Sequence, residues 1–108
     1  MVEVVFNRVS YKLVEFKAKG HAESIEEGLD IVCSAISASS IMIANGITEI
    51  LNVPAAITEN DGFLHINLRM LSESDIEKSQ VLMETMLLGL KSIEQSYGKY
   101  IKVLIEEV

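Results

Sequence analysis

Val2, Val4 and Phe6 alternate with Glu3, Val5 and Asn7 at the start of the chain. Alternation with period two puts successive side chains on opposite faces, so this segment reads as a strand. A polar turn follows around Arg8 to Ser10. Val14, Phe16 and Ala18 then alternate with Leu13, Glu15, Lys17 and Lys19, which completes a hairpin ended by Gly20. Residues His21 to Leu29 read as an acidic loop. Ser24 and Glu27 have capping-box spacing, but Gly28 is expected to stop any helix within a turn. Asp30 is the expected N-cap of a helix running to about Leu51. Asn52 suits the position after a helix end, and Pro54 blocks continuation. One side of this helix carries Val32, Ala35, Ile36, Met42, Ile43 and Ile50. The other carries the small residues Cys33, Ser37, Ser40, Ala44 and Thr48.

Ala55 to Thr58 and Phe63 to Met70 read as two strands around Glu59-Asn60-Asp61-Gly62, a strong hairpin signal. Leu64, Ile66 and Leu68 are expected to face the core, with Phe63, His65, Asn67 and Arg69 facing away. Ser74 with Glu77 opens a second helix, whose stripe is Ile76, Met83, Met86, Leu87, Leu90, Ile93 and Tyr97. Gly98 ends it, and Tyr100 to Ile105 reads as a last strand. The order ββ-α-ββ-α-β predicts an α/β fold, a two-layer sandwich with an about five-stranded sheet and two long helices on one face. The whole of 1–108 is expected to form a single domain, since 108 residues is near the common size for one core.

Composition narrows the function. The net charge of -7 argues against direct nucleic-acid binding, which needs a basic surface to displace counterions. It suits a basic partner or peptide. Ile31 to Thr48 carries no charge and approaches membrane-spanning length. Its serines, Asn45 and Gly46, and the acidic flanks Asp30 and Glu49, favour a packed helix with no membrane role. The single Cys cannot form an intrachain disulfide, and the first residues lack a signal-peptide pattern. A cytoplasmic location is expected. Val5, Leu13, Val81, Leu82, Leu88 and Leu104 fall off the main apolar stripes, and that excess hints at a homodimer.

Chemistry concentrates between Gly20 and Ser37. One Cys and two His do not make a structural zinc spacing, and neither phosphate-loop nor dinucleotide glycine patterns occur. No metal and no cofactor is expected. Cys-His acyl transfer remains. A thiol in the first turn of a helix feels the partial positive charge of unpaired N–H groups, which favours the thiolate. His21 can take the proton and return it. The first-turn N–H groups can double as an oxyanion hole. Ser37 lies one turn beyond Cys33 on the same helix face. Asp30 can orient His21 or cap the helix, but its charge opposes the thiolate. His65, on the polar face of its strand, is expected to be dispensable. The loop from Ala22 to Gly28, with Glu23, Glu26 and Glu27, is expected to act as a mobile gate that favours basic peptides. Three functions fit: a site-specific cysteine endopeptidase, a non-catalytic binding module with an inert Cys33, which the resemblance that follows would make ribosome-associated, and a thiol-dependent acyl hydrolase.

Gly20-His21-Ala22, followed by Gly28-Leu29-Asp30-Ile31-Val32-Cys33-Ser34-Ala35-Ile36-Ser37 and the later Asn45-Gly46-Ile47, resembles the ribosomal-processing cysteine proteases over nearly the whole chain. The resemblance implies a homodimeric enzyme that removes the N-terminal extension of a large-subunit ribosomal protein (number twenty-seven). It implies Cys33 as nucleophile and His21 as base, with Gly20, Asp30 and Ser37 at recurrent positions. Ser34 stands where the family usually has Ala, beside the nucleophile, where it can tune the thiol.

Overall fold

The computed structural model describes residues 1–20 and 27–108. The alternating segments form β1 (Val2–Val9) and β2 (Lys12–Lys19). They are joined by a two-residue turn in which Ser10 (φ 49°) and Tyr11 (φ 71°) are both left-handed. This is the hand that matches strand twist in tight hairpins. β3 (Ala56–Asn60) and β4 (Phe63–Asn67) form a second hairpin. Asp61 and Gly62 take the same left-handed conformation there. β5 (Ile101–Glu107) pairs in parallel with β1, and all other neighbours are antiparallel. The strand order is β3-β4-β2-β1-β5.

Two helices cover one face of this sheet. α1 (Glu27–Asn45) continues into a π-helical turn over Gly46–Ile50, and α2 spans Glu73–Tyr97. The expected order and two-layer α/β architecture are thus present. Val2, Val4, Phe6, Phe16, Ala18 and Ile66 from the sheet, and Leu68 just past β4, join Leu29, Val32, Ile36, Met83 and Leu90 from the helices in one core. The Phe6 and Phe16 rings lie side by side on paired strands, with centroids 5.2 Å apart. Among the described residues, the helical segment Glu27–Ile50 is long and apolar enough to cross a membrane by composition. It packs here against α2 and β4.

Several local expectations need correction. α1 includes Glu27 and Gly28, so both belong to the helix and not to a loop. Gly28 is no stop signal: a Cβ there would meet the Tyr100 ring, with Cζ at 2.8 Å. The absent side chain is a packing requirement. Asp30 is consequently an exposed first-turn residue of α1 and not its N-cap. The inward stripe of α1 is Leu29, Val32, Ile36, Ser40 and Ala44, while Met42 and Ile50 point outward. Small Ser40 and Ala44 allow the helix to approach its neighbours closely.

α2 is capped by Ser72, whose hydroxyl accepts from the Asp75 N–H at 3.2 Å, two residues before the Ser74 expected from spacing. Phe63 is buried although alternation pointed it outward. It sits at the tip of the outer hairpin, where a sheet twists most strongly. Val5 and Leu13 are buried and Leu82 packs over Gly46, so only Val81 and Leu88 among the suspected surplus apolar residues are strongly exposed.

Candidate active site

Cys33 lies on α1, in its second turn and not in its first. The free N–H groups of a helix are its first four, and Cys33 lies beyond the first four described residues of α1. The Cys33 N–H is already committed to the helical ladder. It therefore cannot serve as an oxyanion donor without breaking a helical bond, and the direct influence of the helix end on the thiol is weak at this depth.

The thiol is half-buried. Burial pushes its pKa above the ordinary thiol value, and the nearby negative charge of Asp30 pushes it further the same way. Both effects disfavour the anion. Both therefore act against the pull towards the thiolate expected from the helix N-terminus. Of the two roles considered for Asp30, capping is absent and orientation of His21 falls outside the described residues; its charge opposes the thiolate as expected. A nucleophile in this environment needs a base to remove its proton.

The expected base, His21, lies outside the described residues, as do Glu23 and Glu26. The gate expected over Ala22 to Gly28 therefore falls mostly outside them too. Its last two members, Glu27 and Gly28, are helical. Gly20 is described, and it brings the end of β2 against the start of β1. Its φ is +143°, and a Cβ on it would come within 2.6 Å of the Met1 carbonyl oxygen and 2.9 Å of the Val2 Cα. Backbone atoms cannot move aside as a side chain can. No other residue fits at Gly20, which fixes the point from which the His21 segment departs.

Ser34 is exposed next to Cys33, and Ser37 is half-buried one turn further along the same helix. Ser37 shares a small groove of about 90 Å³ with Ser40, Ile41, Glu59, Gly62 and Leu64. One wall of this groove is the cysteine-bearing helix and the other is the β3–β4 hairpin. Sequence reasoning identifies the helix wall but misses the hairpin wall. The Asp61-Gly62 turn announces a hairpin but nothing in it announces which surface the hairpin covers. Tyr100, whose ring seats the N-terminal turn of α1, likewise carries no sequence signal of its place beside the site. Among the described residues no cluster of three or more His, Cys, Asp or Glu side chains could hold a metal ion.

The other histidine is tied down on the opposite face of the sheet. His65 Nε2 lies 2.5 Å from Glu15 Oε2, and Arg69 Nε donates to Glu15 Oε1 at 3.0 Å. Asn7 Nδ2 donates to the same Oε1 at 2.8 Å. Burial alone would push the Glu15 carboxyl up. The hydrogen bonds from Arg69, His65 and Asn7 outweigh it and bring its pKa down to about 2.

Residues 1–102 match the family of the cysteine protease Prp. A curated ribosomal processing cysteine protease Prp from Staphylococcus aureus is 29% identical over 92 residues, covering 85% of this chain and 86% of its own. One from Bacillus subtilis is 26% identical over 111 residues, covering 95% of this chain and 96% of its own. In three dimensions the chain is similar to a Streptococcus mutans protein, with TM-score 0.84 and 30% identity, covering 100% of this chain and 96% of that one. It is equally similar to S. aureus Prp bound to a substrate peptide, with TM-score 0.84 and 27% identity, covering 98% of this chain and 100% of that one. A third likeness, at TM-score 0.80 and 28% identity with the same coverage, is to S. aureus Prp carrying a covalently linked product peptide.

Proposed function

The chain belongs to the Prp family of ribosomal processing cysteine proteases, and we propose that it uses a Cys33–His21 dyad to remove the N-terminal extension of large-subunit ribosomal protein number twenty-seven. The observation that carries this reading is the family match over residues 1–102 in a chain whose only cysteine is Cys33. The covalently linked product peptide on S. aureus Prp supports a covalent intermediate.

The chemistry follows from the state of the thiol. His21 takes the proton from Cys33 as Sγ attacks the carbonyl carbon of the scissile bond. The imidazolium then gives that proton to the departing amine, leaving a thioester on Sγ. His21 next activates water, which releases the new carboxylate and restores the thiol. Proton transfer coupled to attack is what a thiol held above its usual pKa requires. Gly20 anchors the base-bearing segment, Ser37 meets the bound peptide, and Ser34 adjusts the polarity beside Sγ.

Exposed Asp30 beside the nucleophile, with Glu27 earlier on the same helix and Glu59 at the groove, suits a basic ribosomal peptide. The enzyme acts as one domain, in the cytoplasm, without cofactor, metal, membrane or direct nucleic-acid contact. Exposed Val81 and Leu88, beside Gln80, Glu84 and Thr85 on α2, offer an apolar strip for homodimer formation.

The deciding experiment is to incubate purified wild type and Cys33→Ala with the ribosomal protein precursor of the same organism and read intact mass. Cleavage by the wild type alone supports the proposal. An uncleaved precursor removes the substrate assignment.

A further inference from the structure

The β3–β4 hairpin is joined to the rest of the sheet by little backbone. β4 pairs with β2 only at Glu15↔Asn67 and Phe16↔Ile66, with one further bond from Leu68 N–H to the Val14 carbonyl at 2.8 Å. For comparison, the β1–β2 register runs from Glu3↔Lys19 to Val9↔Lys12. Side chains make up the difference. Glu15 on β2 is 8% exposed and receives His65 of β4 and Arg69 just beyond it, while Asn7 of β1 holds the same carboxylate from the other side. The clasp is charge-assisted and partly shielded from water, so it is worth more than a surface pair.

The same hairpin forms the far wall of the groove beside Ser37. Leu64 neighbours His65 on β4, and it lines the groove with Glu59 and Gly62. Adjacent strand residues point to opposite faces. A pull on His65 from below the sheet is therefore transmitted to Leu64 above it. Few other hydrogen bonds tie the hairpin to β2, and the remaining hold on it is the packing of Phe63 and Ile66 in the core.

We propose that Glu15, His65 and Arg69 are positioning residues which set the width of the groove beside Ser37, one turn from Cys33, where the substrate peptide binds, by clamping the β3–β4 hairpin onto β2. This rests on the peptidase reading, and it assigns His65 a role in substrate binding where sequence alternation made it dispensable. His65 touches neither substrate nor the reacting atoms.

The test compares wild type, His65→Ala and His65→Gln. Glutamine can place a donor nitrogen near the Glu15 carboxylate, and alanine cannot. With a peptide spanning the extension junction of the ribosomal protein precursor, His65→Ala should raise KM about tenfold, the effect of losing one charge-assisted bond, with kcat nearly unchanged. His65→Gln should recover most of the loss. Hydrogen exchange of the Phe63–Asn67 amides should speed up in His65→Ala while α1 and β1 amides keep their protection.

Binding of the same peptide to Cys33→Ala, with and without His65→Ala, probes the clamp independently of cleavage. Weaker binding in the double variant supports the clamp even if no bond is cut. An unchanged KM, a fall in kcat at constant KM, or uniformly faster exchange across the whole fold would each overturn it. Glu15→Gln, which keeps volume while weakening the contacts to His65 and Arg69, should reproduce the KM effect if His65→Ala is poorly folded. Wild-type KM in a folded Glu15→Gln protein would also overturn the proposal.

Discussion

The Tyr100 ring lies so close to Gly28 that a Cβ there would meet ring atoms Cζ and Cδ2 at 2.8 and 2.9 Å. Gly28 lies in α1, and Tyr100 directly precedes β5. The contact seats the start of the cysteine-bearing helix against the strand that completes the sheet.

A change of sign follows from this contact. Alanine is favoured over glycine inside a helix by about 1 kcal/mol. With Tyr100 in place, Gly28→Ala should still lower Tm, because the ring must move. In a Tyr100→Ala background the same substitution should be neutral or stabilising. Thermal melts of the four proteins measure the coupling, and simple additivity would show that the ring does not constrain Gly28.

Much of the fold is legible as local periodicity. β1 and β2 follow from strict alternation, the second hairpin from Asn60-Asp61-Gly62, and α2 from the stripe through Met83, Met86, Leu87 and Leu90. The start of α1 is not legible in this way. Gly28 looks like a stop because its partner, Tyr100, is remote in sequence. Once α1 includes Glu27 and Gly28, Cys33 moves from the first turn to the second and Asp30 from cap to first-turn acid. The first change weakens the helix-end effect expected to favour the thiolate, while the opposition of Asp30 stands as expected. Similarly, His65 falls on the polar face that alternation gives it, but alternation carries no sign of Glu15 opposite it. Pairing between strands distant in sequence depends on register, and register is a tertiary property.

The thiol itself can be titrated. Burial and Asp30 both raise its pKa, so iodoacetamide should modify Cys33 slowly at neutral pH. The rate should climb through the alkaline range, with a midpoint above that of an ordinary thiol. Asp30→Asn removes the negative charge, so it should shift that midpoint down and speed alkylation at pH 7. A midpoint below the ordinary thiol value, or one insensitive to Asp30→Asn, would contradict this description of the site.

Glu15 predicts a pH limit to stability. Its folded pKa, about 2, lies below the ordinary 4.5. A carboxyl depressed on folding contributes stability that is fully present above its unfolded pKa and is lost as pH falls through the folded one. The protein should therefore weaken progressively between about pH 4.5 and 2, by an amount on the order of 3 kcal/mol from this group. Glu15→Gln should be less stable at pH 7 and show a flatter acid limb in urea denaturation. An acid limb identical to wild type would remove Glu15 from this role.

Val81 and Leu88 are 76% and 69% exposed on one side of α2. If this strip forms the homodimer, Leu88→Lys should shift the mass measured by light scattering towards that of one chain, with the circular dichroism spectrum retained. A monomeric wild type, or a variant that still dimerises, would place the interface elsewhere or nowhere.

Cleavage of the ribosomal protein precursor by Cys33 and His21 acting together is the centre of the proposed function. Intact-mass analysis of that precursor after incubation with wild type, Cys33→Ala, His21→Ala and His65→Ala tests it most directly. At saturating precursor the wild type should produce one new N-terminus and Cys33→Ala none. His21→Ala should be slower by on the order of 10²–10⁴-fold, the size of lost acid–base catalysis, and His65→Ala should cut at a near-normal rate. Cleavage by Cys33→Ala, or a loss in His65→Ala equal to that in His21→Ala, would contradict the dyad.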